Sequence, residues 1–137
     1  MLTGLVPHAG AMCLLDRVLS HDADAIRCAA TSHRSPGNPL RRGGMLPAVC
    51  GVEYALQAMA AHGALTADGA SQPPGYLASL RRVALRVERL DDVETDLLVE
   101  AHALSRGARG FVYDFAVSAG DAVLLSGQAA IIIPEAA

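Results

Sequence analysis

At 137 residues, with 52% hydrophobic side chains, the chain has the size of one domain (1–137) and enough apolar surface to build a core without metals or disulfides. A formal charge of -3, an aromatic content of 4% and no Trp exclude a globally basic, base-stacking surface for nucleic acid. Cys13, Cys28 and Cys50 are odd in number and form no C-x-x-C pair, so neither a disulfide framework nor a zinc site is indicated and a reducing cytoplasm is expected.

The N-terminal stretch MLTGLVPHAG has no basic region followed by a long apolar run, and no segment approaches the roughly 18 apolar residues of a membrane span. A soluble, cytoplasmic protein is expected. His8 follows Pro7 and is read as fixing the N-terminal segment, while Ala25 to Thr31 reads as a strand behind the polar turn His21-Asp22-Ala23-Asp24. Pro and Gly gather at Pro36 to Pro47 and at Gly69 to Gly75, the two main loops.

Pro47 to Leu65 places Val49, Val52, Leu56, Met59 and Ala60 at spacings of three and four, which predicts one apolar face of a helix, with Pro47 in the first turn, where a missing N–H costs nothing. Ala48, Ala55, Ala58, Ala60, Ala61 and Ala64 leave little of its circumference dressed for water, so the helix should be central and enclosed. Beyond it the pattern turns to period two: Leu80 to Glu88, then Glu94 to Leu104, Gly110 to Ser118 and Ala122 to Ile133 read as strands. The turns Leu90-Asp91-Asp92, Ser105 to Ala108 and Ala119-Gly120-Asp121 are short enough for an antiparallel meander. One segregated helix with a run of strands means α+β, one long helix wrapped by an antiparallel sheet. Such a sheet has open edges, and pairing through an edge into a dimer protects them.

Glu53 is the informative residue. With Val49 four positions before it and Leu56 three after, it lies along the apolar stripe, where a carboxylate does not serve stability. Burial would disfavour its ionised form, as a general acid near neutral pH requires; the alternative is a solvated carboxylate at the stripe's edge. Gln57, one turn on, is placed to orient it. His33 opens the Pro/Gly-rich loop ahead of the helix, where a base could be carried to a site, although a loop histidine is more often a surface residue. His21 and His102 read as structural or exposed, and His62 as a residue favoured near the helix C-terminus. No metal-ligand spacing, G-x-S-x-G, P-loop or dinucleotide motif occurs, so a site without metal or cofactor is the simplest expectation. The helix start around Ala48 and Val49 offers backbone N–H groups suited to polarising a thioester carbonyl.

Leu5-Val6-Pro7-His8 and Met12-Cys13-Leu14-Leu15-Asp16-Arg17-Val18 resemble the PHRxPxLLLDRV opening of the beta-hydroxyacyl-acyl-carrier-protein dehydratases, hot-dog-fold proteins that act on acyl thioesters. Pro47 to Ala60 resembles their helix motif PGVLxxEAMAQ, with Pro47, Glu53 and Gln57 in register, and Gly75 to Arg81 resembles the strand that follows. The pattern Ser32-His33-Arg34-Ser35-Pro36-Gly37-Asn38-Pro39-Leu40-Arg41, with Gly51-Val52-Glu53-Tyr54-Ala55-Leu56-Gln57-Ala58-Met59-Ala60, is similar to a subfamily of bacterial aryl-polyene lipid clusters. The resemblance spans nearly the whole chain. It implies a hot-dog fold, Glu53 as the acid, the amide of Ala48 as the oxyanion donor and an acyl tunnel beside the helix at a dimer interface. His33-Arg34-Ser35-Pro36-Gly37-Asn38-Pro39 resembles HFPGNP with one extra residue, which implies His33 as the base, 20 positions before Glu53.

The activity so implied is dehydration of a 3-hydroxyacyl thioester on an acyl carrier protein to the trans-2-enoyl product; Arg34, Arg41, Arg42, Arg81, Arg82 and Arg86 read either as groups that meet the acidic carrier or as ordinary solvated arginines. Two other readings stand beside it: an acyl-thioesterase, in which the carboxylate activates water, and a non-catalytic subunit of a hot-dog heterodimer. The assembly is expected to be a homodimer, a heterodimer or a larger hot-dog oligomer.

Overall fold

The computed structural model describes residues 12–66 and 75–133. Among the described residues six strands, β1 (Arg17–His21), β2 (Ala25–Ala30), β3 (Tyr76–Leu85), β4 (Leu97–Gly107), β5 (Gly110–Ala119) and β6 (Ala122–Ile132), form one antiparallel sheet in the order β1-β2-β4-β5-β6-β3. It wraps one long helix, α1 (Gly51–Thr66), which a short 3₁₀ turn (Ala48–Cys50) leads into from Pro47. This is the expected α+β hot-dog architecture.

The alternation legible in the sequence sets the inner face of the sheet. Ile26, Cys28 and Ala30 of β2, Leu97, Val99 and Ala101 of β4, and Tyr113, Phe115 and Val117 of β5 are all buried, at every second position. They close on Val52, Ala55, Ala58, Met59 and Ala61 of the helix, where the three alanines let a curved sheet approach closely. The approach is tightest at Gly51, where an added Cβ would stand 2.5 Å from Leu125 Cδ2, so the helix start rests on β6. The β5–β6 hairpin turns through Gly120 and Asp121, with Gly120 at φ +57°, as a two-residue hairpin loop favours.

Two features depart from the sequence reading. β3 is not the first strand of a four-strand meander: it pairs with β6 at the far edge, and only β4, β5 and β6 run in succession. The segment expected as a tight turn is instead pinned to the entry of the helix. Leu90 N–H donates to Leu46 O at 2.8 Å, Leu46 N–H donates to Asp91 Oδ1 at 2.8 Å, and Arg89 pairs with Asp91 at 2.5 Å. The Arg89 guanidinium, helped by the Leu46 N–H, holds the Asp91 carboxyl far below the usual carboxylate range. The second departure is β1, a strand absent from the sequence reading; Thr31 Oγ1 donates to Asp16 Oδ2 at 2.6 Å beside it.

β3 is an edge strand, and Tyr76, Leu77, Leu80, Val83 and Leu85 on it are exposed. Arg82, at φ 56°, sits in a bulge between Arg81 and Ala84. The helix has one less covered side as well. Val49 is 53% exposed, and Glu53, Leu56 and Ala60, at helical spacing from it, are only partly buried, so this line of the helix is incompletely covered, with Leu56 and Ala60 packed at the margin of the core. The Gly69 to Gly75 loop and His8 fall on, or almost wholly on, positions outside the described residues. Among the described residues no helix is long and apolar enough to cross a membrane, and the three cysteines are free thiols.

Candidate active site

Glu53 is the one Asp, Glu, Lys or Arg in α1, and it lies on the half-open side, in line with Val49, Leu56 and Ala60. Its place in the first turn suits a carboxylate, because the helix dipole is positive there. Gln57 Nε2 approaches Glu53 Oε1 at 3.4 Å, but its shorter bonds go elsewhere: Nε2 donates to Met12 O at 2.6 Å, and Oε1 accepts from Leu14 N–H at 2.9 Å. Gln57 therefore staples the segment 12–14 onto the helix as well as touching the carboxylate.

His33 is 0% exposed, within a 3₁₀ turn (Ser32–Arg34). Its Nε2 lies 3.0 Å from both Val93 O and Thr95 O. Carbonyl oxygens only accept, so Nε2 carries the hydrogen and the neutral ring holds its lone pair on Nδ1, which finds no hydrogen-bond partner among the described residues. Arg34 ties the same turn to Glu94 O and, at 3.4 Å, to Asp96, and Arg41 Nη2 donates to His33 O at 3.2 Å. Two of the arginines read as docking groups thus serve this loop, while Arg81, Arg82 and Arg86 stay exposed on and just beyond β3.

The Ala48 N–H donates to Glu88 O at 3.0 Å, Cys50 N–H to Pro47 O at 3.0 Å, and Gly51 N–H to the Ala48 and Val49 carbonyls. The amide that the resemblance assigns to the oxyanion is therefore already committed within the chain. The structure brings Glu53 and Gln57 together; it holds His33 against the 93–95 segment and Ala48 against Glu88.

The sequence reading missed a buried polar chain beside Glu53. Tyr54, 0% exposed, hydrogen-bonds through its hydroxyl to Ser32 Oγ at 2.7 Å and accepts from Asn38 Nδ2 at 3.0 Å. A lone tyrosine on an Ala-rich helix was the signal, since a buried tyrosine hydroxyl needs a partner.

His62 is not at the surface of the helix terminus but in the core, with Nε2–H donating to Asp22 O at 2.9 Å and Nδ1 accepting from Tyr113 Oη–H at 2.6 Å. Burial lowers the pKa of both His33 and His62 below the usual histidine value, outweighing the carbonyls that favour the charged form. Below pH about 6.5 the unfolded chain therefore takes up protons that the native imidazoles refuse, so stability present at neutral pH is lost as pH falls. Melting at pH 5.5 is expected at a lower temperature than at pH 7.5, and His62→Gln should flatten that slope; a slope unchanged in His62→Gln would remove His62 as a source.

A search of curated protein sequences finds no match. The family model described as ApeP-like, ApeP dehydratase, matches residues 1–137. The chain belongs to the ApeP-like dehydratase family. Among solved structures, a chain of the dehydratase heterocomplex ApeI:P from Xenorhabdus doucetiae is similar to this family member at a TM-score of 0.83 and 21% identity, covering 96% of this chain and 89% of that one. The zebrafish thioesterase superfamily member 2 superposes at a TM-score of 0.63 and 15% identity, covering 86% and 80%. A thioesterase from Haemophilus influenzae gives 0.61 and 9%, covering 87% and 78%. At these identities the structural likeness bears on the fold; the family match carries the dehydratase assignment.

Proposed function

We propose that this ApeP-like chain takes part in dehydrating a 3-hydroxyacyl thioester, carried on an acyl carrier protein, to the trans-2-enoyl thioester. Glu53 supplies the proton that leaves with the C3 hydroxyl as water. The observation that carries the reading is the position of Glu53: a single carboxylate in an otherwise apolar, half-open line of helix side chains, where an acyl chain can lie and a leaving hydroxyl can meet a proton donor. The aryl-polyene resemblance points to a lipid or polyene biosynthetic substrate.

The base that removes the C2 proton comes, on this reading, from a second, non-identical hot-dog chain. The sealed ring of His33 supports this, because a second copy of the same chain would bring the same sealed ring. Of the other described histidines, His62 is spent in the core; His21 and His102 lie toward Asp22 and Ala25, where His62 meets the sheet, about 13 Å along the helix from Glu53. The exposed apolar edge at β3 is the place for that chain, and the related structure from Xenorhabdus doucetiae is itself a heterocomplex. The exposed Arg81, Arg82 and Arg86 add positive charge for an acidic carrier.

A second reading, with His33 itself as the base, is favoured by its fixed tautomer and unpartnered Nδ1. It requires the 93–96 segment to open. Hydration of trans-2-butenoyl-pantetheine by the purified chain, alone and mixed with a second hot-dog dehydratase chain, separates them. Activity that appears only in the mixture is expected; full activity in the chain alone would favour His33, and thiol release without hydration would turn the assignment to a thioesterase.

A further inference from the structure

Ser32 Oγ donates to Leu14 O at 2.7 Å. A serine hydroxyl has one proton, so its 2.7 Å bond with Tyr54 is one in which the phenol donates and Ser32 accepts. The Tyr54 oxygen in turn accepts from Asn38 Nδ2, whose amide also donates to Ser32 O at 2.9 Å. Leu40 N–H donates to Asn38 Oδ1 at 2.9 Å, which fixes which way the amide faces. Every bond in the chain thus has one direction: Asn38 to Tyr54 to Ser32 to the carbonyl of Leu14.

One end of that chain reaches Glu53 through Gln57, and the other lies in the 31–38 loop. Leu14 N–H is held by Gln57, which also touches Glu53, and Leu14 O by Ser32. Ser32 begins the 3₁₀ turn that carries His33, and Asn38 closes the loop behind it. Tyr54 follows Glu53 on the helix, so its buried hydroxyl joins the loop and the 12–14 segment to the backbone that sets the carboxylate. Burial raises its pKa above the usual phenol value, so the hydroxyl keeps its proton at working pH.

We propose that Tyr54 is a positioning residue, whose hydroxyl, as the middle link between Asn38 and Ser32, locks the 31–38 loop and the 12–14 segment in register with Glu53. The proposal rests on the dehydratase reading for its effect on rate, but not for its effect on the loop.

Tyr54→Phe removes the oxygen and keeps the ring. In the active assembly it is expected to lower kcat for hydration of trans-2-butenoyl-pantetheine about tenfold, with KM within about twofold, because the acid is misplaced rather than the acyl chain unbound. In a Glu53→Gln background the same change should cost nothing further. Independently of activity, Tyr54→Phe should speed hydrogen exchange at the amides of Leu14, Arg34 and Ser35 while leaving those of β4 and β5 unchanged. Ser32→Ala, which breaks the next link, should reproduce both effects and serves if Tyr54→Phe folds poorly. Unaltered exchange at those amides overturns the proposal whether or not the wild type is active. An unaltered kcat in an active enzyme overturns it too, leaving Tyr54 a core residue. A wild type that hydrates no enoyl thioester in any mixture removes the dehydratase reading instead, and the exchange result then decides the role of Tyr54 in the loop.

Discussion

Glu53→Gln is expected to reduce enoyl-thioester hydration at least about a hundredfold while the melting temperature moves by no more than a few degrees. The two expectations follow from one comparison of side chains. Glutamine keeps the length and shape of the glutamate and still offers an oxygen to Gln57 Nε2, 3.4 Å away in the wild type. What it lacks is a proton it can surrender, and a placed general acid is worth roughly 10²–10⁴ in rate. The stapling of the 12–14 segment belongs to Gln57 and the packing of the helix to Val52, Ala55, Ala58 and Met59, and both remain in the variant. Glu53→Asp, which retains the acid but withdraws it by one methylene, should fall between the two. A Glu53→Gln enzyme within threefold of wild type would leave the helix carboxylate without a part in the chemistry, and a large fall in melting temperature would mean the loss was structural.

Glu53 was legible in the sequence for the same reason that it is testable: a charge in an Ala-rich helix has no structural purpose that spacing can supply. The strands of the inner face were equally legible, because period-two burial at Leu97, Val99 and Ala101, or Tyr113, Phe115 and Val117, is a local property of the chain. What local patterning does not contain is which elements meet. Leu90-Asp91-Asp92 has hairpin composition, yet Leu90 is buried and its N–H and the Asp91 carboxylate are drawn to Leu46, a residue 45 positions from Asp91. β1 gave no signal because four of its five residues are exposed and no alternation survives. Val49 fits the apolar stripe by spacing, and its exposure records that a single sheet covers only part of the helix. The Tyr54, Ser32 and Asn38 chain has the same character: each residue is ordinary in its own segment, and the three acquire a function only where the loop folds back on the helix.

His33 separates the two accounts of the base, and His33→Ala and His33→Gln should part company. The alanine variant leaves the Val93 and Thr95 carbonyls without their shared donor, and it opens a cavity where a ring had been 0% exposed. A lost hydrogen bond costs about 0.5–1.5 kcal/mol, and the vacated buried volume adds to that, so a loss of roughly 2–4 kcal/mol is expected in urea or thermal unfolding. Glutamine can put an N–H near the place of Nε2, so His33→Gln should recover more than half of that loss. It cannot act as a proton acceptor in the way an imidazole nitrogen can. If His33 latches the 32–34 turn to the 93–95 segment and the base belongs to a partner chain, His33→Gln in the active mixture keeps hydration within about threefold of wild type, which is the outcome expected from the sealed ring. If its Nδ1 takes the C2 proton, the same stable variant loses at least about a hundredfold. A glutamine variant that is both well folded and inactive would therefore overturn the shared-site account and return the base to this chain.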